Sequence, residues 1–480
     1  MGNAKNDCVS HSFVYEIKTK VAKQRRGEIM NYKQAMEYIG GVTARGIVPG
    51  LESIKELCGR LGDPQKDVAW VHVAGTNGKG STLAYVSTIL AKAGYKVGRY
   101  VSPTIRDYRE RIQWNGRNIS QKDLAEGMGI VKEACDGMVA DGLAQPTAFE
   151  VETALAFWYF NKKGCELGVL EVGMGGLLDA TNVIEGTLVE VLASIGMDHM
   201  KFLGDSLEKI AEQKAGIIKP GSTVVCMDQK PEVLAVVQKK ADEKGAKLVI
   251  SKASEATNIH YGLEKQTFRY GNLGKCEIHL AGQFQIANAV LAIDACREIE
   301  AKGYPIPDKA IHEGLMETQW PGRLTLLSKH PLFLADGAHN EDAAEKLAKS
   351  IEFYFTNCRL IYIMGILRDK DYDRIIELTH GYAEQIITIT PPDNPRALPA
   401  LELAKEVARF HPSVTAAGSL EEAVEMARLL AGEDGVILAF GSLSYLGKLM
   451  DIMDGKTKKK PGGNGRGRNH GRSGKNKGGR

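Results

Sequence analysis

No stretch of the 480 residues approaches the ~18 uninterrupted apolar residues that a membrane-spanning helix requires, which excludes a helical membrane protein. The eight cysteines, at positions 8, 58, 135, 165, 226, 276, 296 and 358, include no CxxC pair and no histidines at zinc-binding spacing. A structural zinc site and a disulfide framework are therefore excluded, and the thiols read as reduced, so the expected location is the cytoplasm. Residues 1–29 lack the apolar core of a signal peptide, and Asn6 stands where a myristoylation signal carries a hydroxyl. No repeat of about 20 to 50 residues is found. No Ser-His-Asp or Cys-His arrangement with a nucleophile elbow is found either, so chemistry through a protein nucleophile is not expected.

Acid is missing from one segment only. After Asp454 the chain carries ten Lys or Arg and no Asp or Glu, which leaves residues 1–454 at −7, ten below the +3 of the whole chain. Residues 455–480 have nothing apolar to bury and are expected to be a disordered, basic, Gly-rich tail able to meet nucleic acid or an anionic surface. The tail has no aromatic side chain to stack on bases, so nucleic-acid binding is not expected of the protein as a whole. Residues 1–29 are expected to be a disordered extension, with Met30 as the native start, because MNYKQAMEYIGGV is the first convincing amphipathic helix.

The rest of the composition is that of an ordinary globular protein, 43% hydrophobic and 25% charged, and its length implies two or three domains. Its most informative segment is VHVAGTNGKGST at 71–82, an apolar strand ending in a glycine-punctuated turn that opens a helix. Glycines let backbone N–H groups approach phosphate oxygens, Lys79 adds a point charge, the helix N-terminus adds its dipole, and Ser81 or Thr82 can meet magnesium. The string departs from the usual phosphate-loop pattern, with Val73 at the first glycine position and Gly80 between Lys79 and Ser81.

Strand-like runs alternate with helix-length segments from Val68 to Ser251 (VAWVHV, KVGRYV, LGVLEV, LVEVLASI, STVVCM, KLVIS) and again in LFLAD, RLIYIMGI, IITIT and VILAFGS. This predicts an α/β protein with two parallel-sheet domains: a phosphate-loop ATPase domain over 30–320 and a smaller Rossmann-like domain over 321–454, parted at Trp320-Pro321-Gly322-Arg323. Ligands gather beyond the carboxyl ends of such strands. Polar residues stand there repeatedly: Ser102, Pro103 and Thr104, then Glu171, then Asp198 and His199, then Asp336 through Asn340. Glu171, His199 and a hydroxyl such as Ser102 could hold a hard divalent cation bridging nucleotide phosphates. Lys214 reads by itself as a solvated lysine early in a helix.

Taken together and in order, GTNGKGS at 75–81, SPTIRDYRERIQWNGRNIS at 102–120, TAFE at 147–150, EVGMGGLLDATN at 171–182, SIGMDH at 194–199, EQKAGI at 212–217, AGQFQIANA, WPGR at 320–323, DGAHN at 336–340 and RDKD at 368–371 resemble the folylpolyglutamate synthase and bifunctional dihydrofolate synthase family of the Mur-ligase-like superfamily. The resemblance spans roughly residues 30–448. It implies an ATP-dependent ligase that joins L-glutamate to folate, or to dihydropteroate, through an acyl phosphate.

By the same resemblance Thr76, Asn77, Gly78, Lys79, Gly80, Ser81, Asn288, Arg323 and Asp336 would contact ATP. Ser102, Glu171 and His199 would bind two magnesium ions. Lys214 falls where the family has a carbamylated lysine, and His339 would assist near the phosphates, so Lys79, Lys214, His199 and His339 are the expected catalytic groups. Gly50, Leu51, Thr147, Ala148, Phe149, Glu150, Leu178, Asp179 and Ala180 would contact the pterin-bearing substrate. Three positions depart from the pattern: Leu177 replaces an arginine, and Thr104 and Phe284 replace histidines. A monomer is expected. Two other readings stay open at this point: a ligase adding an amino acid to a cell-wall nucleotide precursor, and a non-catalytic nucleotide-binding relative with a nucleic-acid-binding tail.

Overall fold

The computed structural model describes residues 30–43 and 48–455. The expected extension over 1–29, and the basic tail from residue 456 onward, lie outside the described residues.

The strands, in chain order, are β1 (Ala69–Ala74), β2 (Val97–Tyr100), β3 (Ile112–Trp114), β4 (Arg117–Asn118), β5 (Leu167–Glu171), β6 (Thr187–Leu192), β7 (Thr223–Met227), β8 (Lys247–Ser251), β9 (Thr257–His260), β10 (Gln266–Tyr270), β11 (Gly274–Ile278), β12 (Thr325–Lys329), β13 (Leu332–Ala335), β14 (Leu360–Met364), β15 (Gln385–Thr388), β16 (Val414–Ala416) and β17 (Val436–Phe440). The first sheet runs β4-β3-β2-β5-β1-β6-β7-β8 and the last β12-β13-β17-β14-β15-β16. In the first, β2, β5, β1, β6, β7 and β8 are parallel. In the last, only β12 is antiparallel.

Strands buried on both faces explain the near-continuous apolar runs. One face of the first sheet packs Val71, Val97 and Val101 against the helices Lys79–Lys92, Phe284–Ala301 and Asp308–Glu317. The other packs Trp70, Tyr100 and Leu170 against Gln121–Ala140 and Ala148–Lys163. The latter helix is buried from Glu150 through Phe160, so it carries no clear apolar stripe.

Antiparallel pieces were not expected from the alternating pattern. The edge hairpin β3–β4 turns on Asn115-Gly116, whose φ angles of 46° and 72° are those an Asn-Gly hairpin turn uses. A separate sheet, β11-β10-β9, fills the stretch between the two parallel sheets. Its strands are short and β9 is largely exposed, so they carry little apolar signal.

Candidate functional site

In the first sheet the chain moves outward from β1 to β2 on one side and from β6 to β8 on the other, so the carboxyl end of β1 is where connections diverge and a crevice opens. The glycine turn sits there. Thr76 N and Asn77 N donate to Ser194 O at 2.7 and 3.1 Å, and Thr76 Oγ1 donates to Gly196 O at 2.9 Å, tying the turn to the segment after β6. Gly78, at φ 87°, caps the helix Lys79–Lys92, so Ser81 stands in its first turn. Only glycine fits at 78, since a Cβ there would lie 2.5 Å from Asn288 Oδ1. At Gly80 a Cβ would lie 2.4 Å from the Trp320 ring, so the linker tryptophan is seated directly on the turn. Lys79 Nζ donates to Thr76 O at 3.2 Å, and burial lowers its pKa against the opposing pull of Glu171 and Asp198. Ser81 Oγ accepts from Gln285 Nε2 at 3.3 Å, while Thr82 Oγ1 is buried without a partner among the described residues.

Behind the turn lie the strand-end groups. Glu171 is buried and accepts from Ser102 N at 3.2 Å; burial raises its pKa, with Lys79 pulling the other way. His199, its side chain 43% exposed, lies 3.9 Å from Asp198, and burial of its ring lowers its pKa. Lys214 corrects the reading of a solvated lysine early in a helix: it sits in the last turn of Leu207–Ala215, is buried, and donates from Nζ to Gly75 O at 2.9 Å. Burial, with the charge of Lys79 nearby, brings its pKa down to about 7. Among the described residues no three His, Cys, Asp or Glu side chains come together as a metal cage.

The second parallel sheet closes the crevice. A cleft is lined by Asn77, Gly78, Ser81 and Asn288 from one side and by Arg323, Asp336 and Lys346 from the other, with Phe284 also on its wall. Asp336 is buried and accepts from Leu324 N and Ala338 N, each at 2.8 Å, so it organises the loop around Arg323. Burial raises its pKa, opposed by Arg323. His339 Nδ1 lies 2.7 Å from Gly337 O, and burial lowers its pKa to about 4.

Polar clasps cross the cleft. Asn77 Nδ2 donates to Asp342 Oδ2 at 2.6 Å and to Asn340 Oδ1 at 3.2 Å; Lys346 Nζ donates to Ser194 Oγ at 2.8 Å. Asp198 accepts from Asn340 Nδ2 at 2.9 Å and from Lys370 Nζ at 3.0 Å. Burial alone would raise the Asp198 pKa, but Lys370 and His199 hold it well below the usual carboxylate range. Gln285, Asp342, Lys346 and Lys370 were not singled out as site residues. Gln285 lies in the AGQFQIANA string and Lys370 in the RDKD string, but Asp342 and Lys346 sit on an ordinary helix surface in sequence, and only the closure of one sheet on the other reveals them.

Of the expected substrate segments, Leu51, Ala148, Phe149 and Ala180 pack with the helices on the other face of the first sheet. Thr147 and Glu150 form a capping box, Thr147 N donating to Glu150 Oε2 at 2.7 Å, so their polar atoms are turned to the backbone of Ala148–Lys163. Phe149 stands against Gly173 and 5.9 Å from the Tyr100 ring. Asp179 accepts from Met174 N and from Thr181 N and Oγ1. Ala180 is buried, Leu177 and Leu178 are exposed, and Leu51 lies with Leu177 on the rim of a neighbouring cavity. Gly50 has φ 146°.

Residues 73–296 match the Mur ligase middle domain, and residues 322–443 match the Mur ligase glutamate ligase domain. The chain is 36% identical over 424 residues to the dihydrofolate synthase/folylpolyglutamate synthase of Bacillus subtilis, covering 86% of this chain and 97% of that one. Among solved structures it is similar to Mycobacterium tuberculosis folylpolyglutamate synthase complexed with ADP and AMPPCP (TM-score 0.81, 28% identity, 88% of this chain and 99% of that one). It is also similar to Escherichia coli FolC in complex with DHPP and ADP (TM-score 0.77, 28% identity, 89% and 98%). Two Mur-ligase domains in this order, with a relative this similar along nearly its whole length, place the chain in the folylpolyglutamate synthase/dihydrofolate synthase family.

Proposed function

We propose that this protein is an ATP-dependent ligase that adds L-glutamate to tetrahydrofolate and its γ-glutamyl derivatives, and to dihydropteroate as well. The observation that carries the reading is the cleft in which the glycine turn at 75–81 faces Arg323 and Lys346, a cationic enclosure suited to a triphosphate between two domains. The relatives' activities point the same way, against a cell-wall ligase or a non-catalytic nucleotide binder.

In this reading the acceptor carboxylate attacks the γ-phosphate of ATP, ADP leaves, and the amine of L-glutamate then displaces phosphate from the acyl phosphate. Thr76 to Ser81 and Asn288 cradle the nucleotide from one side, and Arg323 and the Asp336 loop from the other. Lys79 neutralises phosphate charge. The clasps from Asn77 and Asp198 to Asn340, Asp342 and Lys370 hold the domains together and keep water from the acyl phosphate, which would otherwise hydrolyse.

The donor set fits magnesium. Glu171 is a buried carboxylate with no ion-pair partner among the described residues, His199 offers an imidazole whose pKa is lowered by burial, and Ser102 lies beside Glu171. Magnesium would neutralise the phosphate charge there. Lys214, with a pKa of about 7, is half neutral at neutral pH and so able to take up carbon dioxide as a carbamate, turning a cation into an anion beside that site. Phe149, the Leu178–Ala180 segment and the Gly50–Leu51 turn would face the pterin.

One assay matrix tests the reading: ATP and magnesium with tetrahydrofolate or dihydropteroate as acceptor and L-glutamate as donor, following phosphate release and product mass. Glutamate-dependent phosphate release and a product one glutamyl residue heavier are expected with both acceptors. Failure with both would refute the ligase reading, and failure with dihydropteroate alone would remove the second activity. Glu171→Ala and His199→Ala should each abolish most turnover; full activity in both would remove the metal assignment.

A further inference from the structure

We propose that the cavity between β2 and the helix Lys79–Lys92 is a binding site for a phosphate-class oxyanion, with the Arg99 guanidinium as its counter-ion. The proposal is independent of the ligase reading.

Along β2, Val97 and Arg99 point to the face covered by the helix Lys79–Lys92, while Gly98 and Tyr100 point to the opposite face, where a Cβ on Gly98 would strike the Phe160 ring at 2.6 Å. Arg99 is thereby placed inside, with only 8% of its surface exposed. Its partners are all neutral. Nε donates to Ser87 Oγ at 2.8 Å, Nη1 to Gln113 Oε1 at 3.3 Å, and Nη2 to Thr88 Oγ1 and Ala84 O at 3.2 and 3.4 Å. Among the described residues no carboxylate faces it, and burial lowers its pKa to about 10.

The protein treats another buried guanidinium differently. Arg111, on the next strand's threshold, is paired with Glu152 at 3.1 Å, and Tyr108 OH donates to the same carboxylate at 2.9 Å. A buried charge left without a counter-charge is destabilising, and a chain that pairs Arg111 but leaves Arg99 unpaired has a use for the uncompensated cation.

The cation lies on the wall of a cavity of about 340 Å3, large enough for an oxyanion with water around it. Thr88, Lys92 and Asn115 also line it. Asn115 Oδ1 accepts from Val97 N at 2.7 Å, leaving its amide N–H groups as donors, and Lys92 supplies a second cation that Glu317 balances from outside at 2.6 Å. A planar guanidinium with one N–H to spare on Nη1, an ammonium and an amide form a donor set for phosphate or sulfate. The same helix carries Lys79 and Ser81 at its other end, so the site lies against a rigid element shared with the nucleotide cleft.

The test titrates the full chain, in AMPPCP and magnesium to occupy the nucleotide turn, with inorganic phosphate, sulfate, glycerol phosphate or acetate at constant ionic strength. Binding is read by calorimetry and by thermal shift. One saturable site for phosphate and sulfate is expected, with acetate at least tenfold weaker. Binding of phosphate but not glycerol phosphate identifies a free-phosphate site, and binding of both a site that also admits phosphomonoesters. Arg99→Gln should weaken the anion at least tenfold, and Ala91→Leu, which fills the cavity while leaving Arg99 in place, should abolish binding even if the first variant folds poorly. No saturable binding, binding that survives both variants, or acetate binding as well as phosphate would overturn the proposal.

Discussion

Replacing Lys214 by methionine should make this protein more stable below pH 9 while stopping its turnover. Lys214 Nζ is buried, with Gly75 O at 2.9 Å as its acceptor, and its pKa falls from 10.5 to about 7. At ~1.4 kcal/mol for each pH unit, that depression corresponds to about 5 kcal/mol by which the charged form opposes folding. Between pH 7 and 10.5 the unfolded chain holds a proton that the folded chain has released, so stability from this group rises with pH. The penalty is full below pH 7 and gone above 10.5.

Methionine removes it, at the cost of one hydrogen bond worth about 1 kcal/mol and of a Gly75 carbonyl left without this donor. In carbon-dioxide-free buffer, urea unfolding should find Lys214→Met more stable by about 2–4 kcal/mol at pH 6.5, with the two curves meeting near pH 10. Bicarbonate should raise the stability of the native protein near pH 8 and leave the variant unchanged, because a carbamate needs the amine. A methionine variant equal to or less stable than the native protein at pH 6.5 would refute the burial argument. Full turnover in that variant would refute the role of Lys214.

Gly80→Ala should weaken AMPPCP binding by about 10- to 100-fold, the equivalent of ~1–3 kcal/mol of overpacking against Trp320, and adding Trp320→Ala should restore part of it; calorimetry on both variants decides. Asp198→Asn removes the ion pair to Lys370 across the cleft and should cost about 2 kcal/mol of closure, a ~30-fold loss in kcat/KM for glutamate, with faster limited proteolysis of the linker as the structural readout. His339, with a pKa of about 4, stays neutral from pH 6 to 8, so His339→Gln should leave the shape of the pH–rate profile unaltered; a lost limb near pH 6.5 would contradict its burial. Leu177 is 43% exposed, so Leu177→Arg should change stability by less than ~0.5 kcal/mol yet alter the ratio of KM for dihydropteroate to KM for tetrahydrofolate; an unchanged ratio would free that position of any part in acceptor choice.

The parallel sheets were legible because their strands are buried on both faces and read as apolar runs between helix-length segments, as in VHVA before Gly75 and LGVLE before Gly173. The β3–β4 hairpin was missed, because strands of three and two residues around Asn115-Gly116 are too short to show an alternating pattern. The β9–β11 sheet was missed too, since its strands are short and partly exposed.

For the site, local sequence determined whatever depends on local backbone: the glycine turn with Gly78 at φ 87°, Lys79 at the helix start, and polar groups at the ends of β5, β6 and β13. It could not determine burial, because burial is set by what packs on a residue from elsewhere. That is why Lys214 read as a surface group until the turn at Gly75 was folded over it, and why nothing in KVGRYV marks out Arg99, which a helix closes over. The same holds for the clasps. Asn77 and Asp342, or Asp198 and Lys370, are more than a hundred residues apart, and only the closing of the second sheet on the first puts their opposite charges and hydrogen-bonding groups within 3 Å, which turns a nucleotide turn into an enclosed cleft.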